Sequence, residues 1–165
     1  MSDTGRWALP LLDAGQAQKE MTHNEALAIL DLVTQAGVVA VGIEAPPAGA
    51  TVGQCWVTGA SPSGAWAGHP HTMAGWTAGG WRFVAPRPGM AVWSEADGCP
   101  ATFTGGQWLV GRVAGAALVI GGKQVVGAQR PAIASPAGGA VVDAEARAAL
   151  AQVLAALVSH GLVGS

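Results

Sequence analysis

Apolar positions along this chain follow two periods. After a polar stretch, "QAQKEMTHNEAL", Leu27, Leu30 and Val33 or Thr34 recur at helical spacing, with Ala26 and Ile29 widening the stripe. Thr22 and Glu25 stand in the S/T-x-x-E relation of a capping box, in which each side chain satisfies the other's backbone N–H. The pattern predicts a helix over about 23–36, stopped by Gly37.

From Val38 to Val110 the period shortens. "QCWVTG", "HTMAGW", "GWRFVAP", "MAVWSE", "ATFTG" and "QWLVG" each read as a short strand bounded by Gly, Pro or Asp. Two stretches repeat. Ala74–Val84 and Ala101–Val110 each place two aromatics around a Gly-Gly pair, so that Trp76 and Trp81 correspond to Phe103 and Trp108. One β-hairpin used twice predicts a small antiparallel sheet or barrel, with Trp81 and Trp108 mostly buried. Further on, Gly121-Gly122 lies between two apolar runs, as a tight hairpin turn requires.

The period returns to helical near the end. Ala134–Ala140, "ASPAGGA", reads as a Gly/Pro hinge. Beyond it a helix is expected over about 143–160, with Asp143 as N-cap, Glu145 in the first turn and Gly161 past the end. Ala146, Leu150, Val153 and Leu157 are spaced as the seam of a short coiled coil. Ala149, Leu154, Val158 and Leu162 make much of the remaining surface apolar. A helix apolar over so much of its circumference needs cover on more than one side, and self-association would supply it. The expected architecture is therefore α+β: an N-terminal segment, helix and β-hairpin domain over 1–111, a hairpin and hinge over 112–140, and an oligomerisation helix over 141–165.

Composition agrees with an assembling protein. Half of the 165 residues are hydrophobic and 11% are charged, against about a quarter in ordinary domains. A net charge of -2 without a basic cluster predicts no nucleic-acid partner. The longest apolar stretch, "VAGAALVIGG", is too short to span a bilayer, and the N-terminus lacks the apolar run of a signal peptide. Synthesis in the cytoplasm is expected. Cys55 and Cys99 have no CxxC spacing and read as small buried hydrophobes.

Candidate chemistry is sparse. His69 and His71 form an HxH pair, but Pro70 separates them and no carboxylate or cysteine completes a metal set. Lys19, Glu20, His23 and Glu25 lack a nearby nucleophile, and Glu95 with Asp97 reads as the polar tip of a turn. Phosphate-cradling motifs are absent. No catalytic residue, metal or cofactor is expected. Seven tryptophans stand beside two phenylalanines and no tyrosine. Most must be core; Trp66, Trp76 and Trp81 are the candidate sugar contacts.

"LPLLDAGQAQKEMTHNEAL" (Leu9–Leu27), "GAWAGH" (Gly64–His69), "GWRFVAPRPGMAVW" (Gly80–Trp93) and "GGQWLVG" (Gly105–Gly111) together resemble a domain of formerly unknown function. It occurs in tail and spike proteins of alphaproteobacterial prophages and in gene transfer agents of Rhodobacter-like bacteria. The tail "GGAVVDAEARAALAQVLAALVSHGL" is similar to the C-terminal helix of that group. The resemblance implies a non-enzymatic component of a phage-like particle, a gene transfer agent head spike base or connector. It would link capsid or tail to a fibre that binds the host capsule, and the shortness of the chain favours a base over the fibre. The alternative is a carbohydrate-binding module that itself touches capsular polysaccharide. Its location would be the particle after assembly, its partners other virion proteins and copies of itself. Gln16, Gln18, Lys19, His23 and Asn24, with the helix seam, are the expected assembly residues.

Overall fold

The computed structural model describes residues 2–13, 15 and 19–164. Gln16 and Gln18 lie outside these. The chain divides into two compact units, Met1–Arg112 and Val113–Ser165.

The first unit opens with helix α1 (Lys19–Val33), then β1 (Gly37–Val38), β2 (Val41–Ile43), β3 (Cys55–Thr58), a 3-10 turn at Gly64–Trp66, β4 (Met73–Thr77), β5 (Gly80–Val84), β6 (Ala91–Ser94), β7 (Cys99–Thr104) and β8 (Gln107–Val110). The strands form two four-stranded sheets, ordered β2-β3-β4-β5 and β1-β6-β7-β8. In each sheet the first strand runs parallel to its neighbour and the other three form an antiparallel meander. The segment 37–43 thus supplies the first strand of both sheets, a pairing that hairpin signals could not foretell. The fold is α+β, as expected.

The repeated hairpin is real. Trp76 pairs with Trp81 and Phe103 with Trp108, at equivalent places in β4–β5 and β7–β8. The turns differ by one residue in where the glycines fall. Gly105-Gly106 occupies the second turn with positive φ at both residues, whereas Gly80 pairs with Thr77 and leaves Ala78-Gly79 as the first turn. Trp81 and Trp108 are mostly buried, as expected, each packed against a core cluster, and retain some exposure because both hairpins sit at a sheet edge.

Strand alternation builds the core. Cys55, Val57 and Met73 face one way and join Leu32, Ala36, Val38, Val92 and Ala101 in one cluster. Trp56 and Ala74 face the other way and pack with Trp66, Trp81 and Phe83 in a second. The sheet β2-β3-β4-β5 is covered on both faces, which is why all four residues of β3 are buried. Gly75 lets α1 approach: a Cβ there would lie 2.4 Å from Leu32 Cδ2.

The second unit holds a hairpin, β9 (Leu118–Ile120) with β10 (Lys123–Val126), and helix α2 (Ala144–Ser159). Gly121 and Gly122 both have positive φ, as the turn demands. Asp143 caps α2 by accepting from Ala146 N at 2.8 Å, and Gly161 follows the C-cap with φ +68°. A parallel bridge joins Arg130 to Val163. The hairpin, residues 134–140 and α2 fall in this one unit.

Candidate functional site

The start of α1 departs from expectation. The helix begins at Lys19, so Thr22 is an exposed residue inside it and caps nothing. Glu25 reaches across instead to Arg82 of β5, with its Oε2 2.8 Å from Nε. That partner lies 57 residues away, beyond the reach of a local capping motif. The helix also ends earlier, at Val33, because an arginine terminates it. Arg6 donates to the carbonyls of Asp31 and Leu32, left unpaired by the last turn, and to those of Thr34 and Gln35 just beyond it. Gln35 then takes a left-handed conformation, φ +44°, and Gly37 enters β1.

Asp31 completes this clamp. Its buried carboxylate accepts from Thr4 Oγ1 (2.7 Å), Arg6 N (2.9 Å) and Trp7 N (2.7 Å). Asn24 holds the next turn of the same segment. Its Oδ1 accepts from Leu12 N and its Nδ2 donates to Leu12 O. Asn24 therefore binds the N-terminal segment of its own chain. Lys19 and His23 are exposed, and His23 Nδ1 lies 3.3 Å from Lys19 O. Sequence reasoning missed Arg6 and Asp31. The legible signal was a lone acid inside the apolar run "AILDLV".

The three candidate sugar contacts separate. Trp66 is 0% exposed, so it offers no face to a sugar. Trp81 lies at 5.1 Å and 83° to it, and Trp56 lies at 6.2 Å. No oxygen or nitrogen among the described residues accepts from Trp66 Nε1. The edge-to-face contact with Trp81 is the geometry that suits an indole edge over a π face. Trp81 is hemmed in by Trp56, Trp66 and Trp76. Trp76 lines a cavity of about 330 Å³ between the N-terminal segment, α1 and the β4–β5 tip, with Asn24, Glu25, Leu32 and Arg82. The exposed indoles are Trp7 (47%) and Trp93 (52%). Trp93 follows buried Val92 in β6, so alternation turns it outward.

The two histidines of the HxH pair have other occupations. His69 stacks on Phe83 with ring centroids 3.7 Å apart, and the His71 carbonyl accepts from Trp108 Nε1 at 2.8 Å. Among the described residues, no group of three His, Cys, Asp or Glu side chains could hold a metal. Burial raises the Cys55 thiol from 9.0 to about 11, with Arg6 opposing. Such a thiol is a core residue and a poor nucleophile. Ser94 donates to Asp97 within the turn after β6.

In the second unit the expected seam lies in the open. Ala146, Leu150 (50%) and Val153 (55%) are exposed, and Leu157 is half-buried. No residue of α2 is buried.

Residues 23–109, more than half of the chain, match the family described as "Protein of unknown function (DUF2793)". The chain belongs to this family. The DUF2793 match starts within α1, takes in both sheets and lies wholly in the first unit. No curated protein matches the chain. No helix among the described residues is long and apolar enough to cross a membrane.

Proposed function

We propose that this DUF2793 protein is a non-enzymatic structural component of a phage-like particle. It would serve as the base or connector of a gene transfer agent head spike, linking capsid or tail to a capsule-binding fibre. One observation carries the reading. Among the described residues, thirteen of the twenty exposed large hydrophobics belong to the second unit, whose one buried hydrophobic is Val163. Such a surface calls for a partner. The resemblance of the first unit and of the tail to prophage and gene transfer agent proteins says where that partner would be found.

The test is a double substitution, Leu150→Asp with Leu157→Asp, in the full chain. Carboxylates in the seam could not be paired, and burying them is prohibitive. The variant should keep its strand signal in circular dichroism, fall in mass by light scattering, and fail to join a particle. An unchanged mass with normal incorporation would overturn the reading.

The cavity beside Trp76 favours a second reading, a module that itself binds capsular polysaccharide. Its volume, about 330 Å³, is at the small end of ligand sites, and it combines an indole with an Arg–Glu pair. Trp76→Ala should then abolish polysaccharide binding measured by calorimetry. A parent protein with no measurable heat would remove this alternative.

A further inference from the structure

We propose that the cavity beside Trp76 binds a free α-amino acid with a large apolar side chain, its carboxylate on Arg82 and its ammonium on Glu25. The inference goes beyond both readings above. It does not depend on a place in a particle, and it gives the cavity a ligand other than polysaccharide.

The Arg82–Glu25 pair is open. An arginine and a carboxylate commonly close as a fork, with two parallel N–H···O bonds. Here Glu25 Oε2 takes only Nε, at 2.8 Å. Nη1 donates to the carbonyls of Gly79 and Trp81. Among the described residues, Nη2 meets no acceptor and Glu25 Oε1 meets no donor. One unfilled donor and one unfilled acceptor, of opposite charge, are thus left on a single ion pair of the cavity wall.

The other polar side chains of the wall are mostly engaged. Both amide atoms of Asn24 bond Leu12, and Asp31 accepts three bonds from residues 4–7. Thr4 Oγ1 donates to Asp31 and accepts from Leu9 N, while Thr77 Oγ1 donates to Gly80 O and accepts from Gly79 N. Asp3 adds an exposed carboxylate. The large remaining side chains, Leu11, Met21, Leu32, Val52 and Trp76, are apolar. The Trp76 ring is fixed against Trp81, with centroids 4.9 Å apart.

Charge and size select the ligand. Among the described residues the wall sets Asp3, Glu25 and Asp31 against Arg82, a net negative lining that disfavours a plain carboxylate. A plain amine would leave the guanidinium corner unfilled. A zwitterion meets both free atoms, so neither of its charges enters without a partner, and the apolar lining receives its side chain. The volume, about 330 Å³, stands at the low end of the roughly 300–1,000 Å³ of ligand pockets and suits one residue-sized molecule.

Equilibrium dialysis of radiolabelled L-phenylalanine against the full chain tests this. The amino acid should be retained, and a parent that retains none overturns the proposal. Phenethylamine, which lacks the carboxylate, and 3-phenylpropanoate, which lacks the ammonium, should each compete at least about tenfold more weakly than unlabelled L-phenylalanine, because each leaves one charge of the pair unmet. Equal competition by either overturns the zwitterion. Glu25→Gln removes the charge and keeps the shape, and should weaken retention at least about tenfold with an unchanged circular dichroism spectrum. Unchanged affinity overturns the assignment, and where the spectrum itself changes, the competition in the parent decides. Polysaccharide bound by a chain that retains no amino acid would sink this inference and leave the second reading standing. Retention of L-phenylalanine by a chain that joins no particle would do the reverse to the proposed function.

Discussion

Asp31 shows how one side chain can organise the entry of a chain into its fold. A carboxylate 3% exposed accepts from two backbone amides and a hydroxyl, all from residues 4–7. Asp31→Ala leaves three part-buried donors without their acceptor, where a fully buried donor would cost about 1–3 kcal/mol. Because the segment can relax toward water, a loss of about 2–4 kcal/mol is expected in urea unfolding. A midpoint unchanged within error would mean that the clamp is dispensable. Cys55 makes a pH prediction. Its folded pKa, raised to about 11 by burial, stands above the ordinary 9.0, so the folded state holds the proton more tightly. The corresponding stability is fully present below pH 9 and is lost as pH rises toward 11. Cys55→Ala should flatten that part of the stability–pH profile, and a profile identical to the parent's would refute the assignment.

At the scale of elements, α1 is tied to the sheets by contacts that no local motif encodes. Glu25 and Arg82 are 45% and 32% exposed, so their pair is screened and contributes less than about 1 kcal/mol. Glu25→Gln should therefore lower stability only slightly. Thr22→Ala should change it by no more than about 0.5 kcal/mol, since Thr22 is an exposed helical position and Ala is the better helix former. A loss above about 1 kcal/mol at Thr22 in chemical denaturation would restore it as a cap. The hairpins, by contrast, were legible as elements. Paired aromatics at equal distance from their turns set the register, and a slip by one residue would turn every side chain to the wrong face.

At the scale of the whole molecule, the two units differ in what they bury. All seven tryptophans and both core clusters belong to the first. Truncation after Arg112 should leave a folded, monomeric protein whose tryptophan emission matches that of the full chain. Emission shifted to the position of the urea-unfolded chain would show that the first unit depends on the second. If the second unit associates as proposed, it should fold only at concentrations that permit association.

The sequence by itself determined the elements whose causes are local. Hairpin repeats, the Gly121-Gly122 turn, the Asp143 cap and the exposed seam of α2 all follow from residues within a few positions of one another, where backbone geometry and periodicity dominate. It did not determine the start of α1, because the S/T-x-x-E pattern of Thr22 and Glu25 is outcompeted by a distant Arg82. Nor did it reveal the split of residues 37–43 between two sheets, or which tryptophans face water. Trp66, a candidate sugar contact by sequence, is buried, whereas Trp93 faces water. Those outcomes rest on pairings between segments tens of residues apart. Only the tertiary structure, by deciding which strand lies beside which, settles the side of the sheet on which each indole stands.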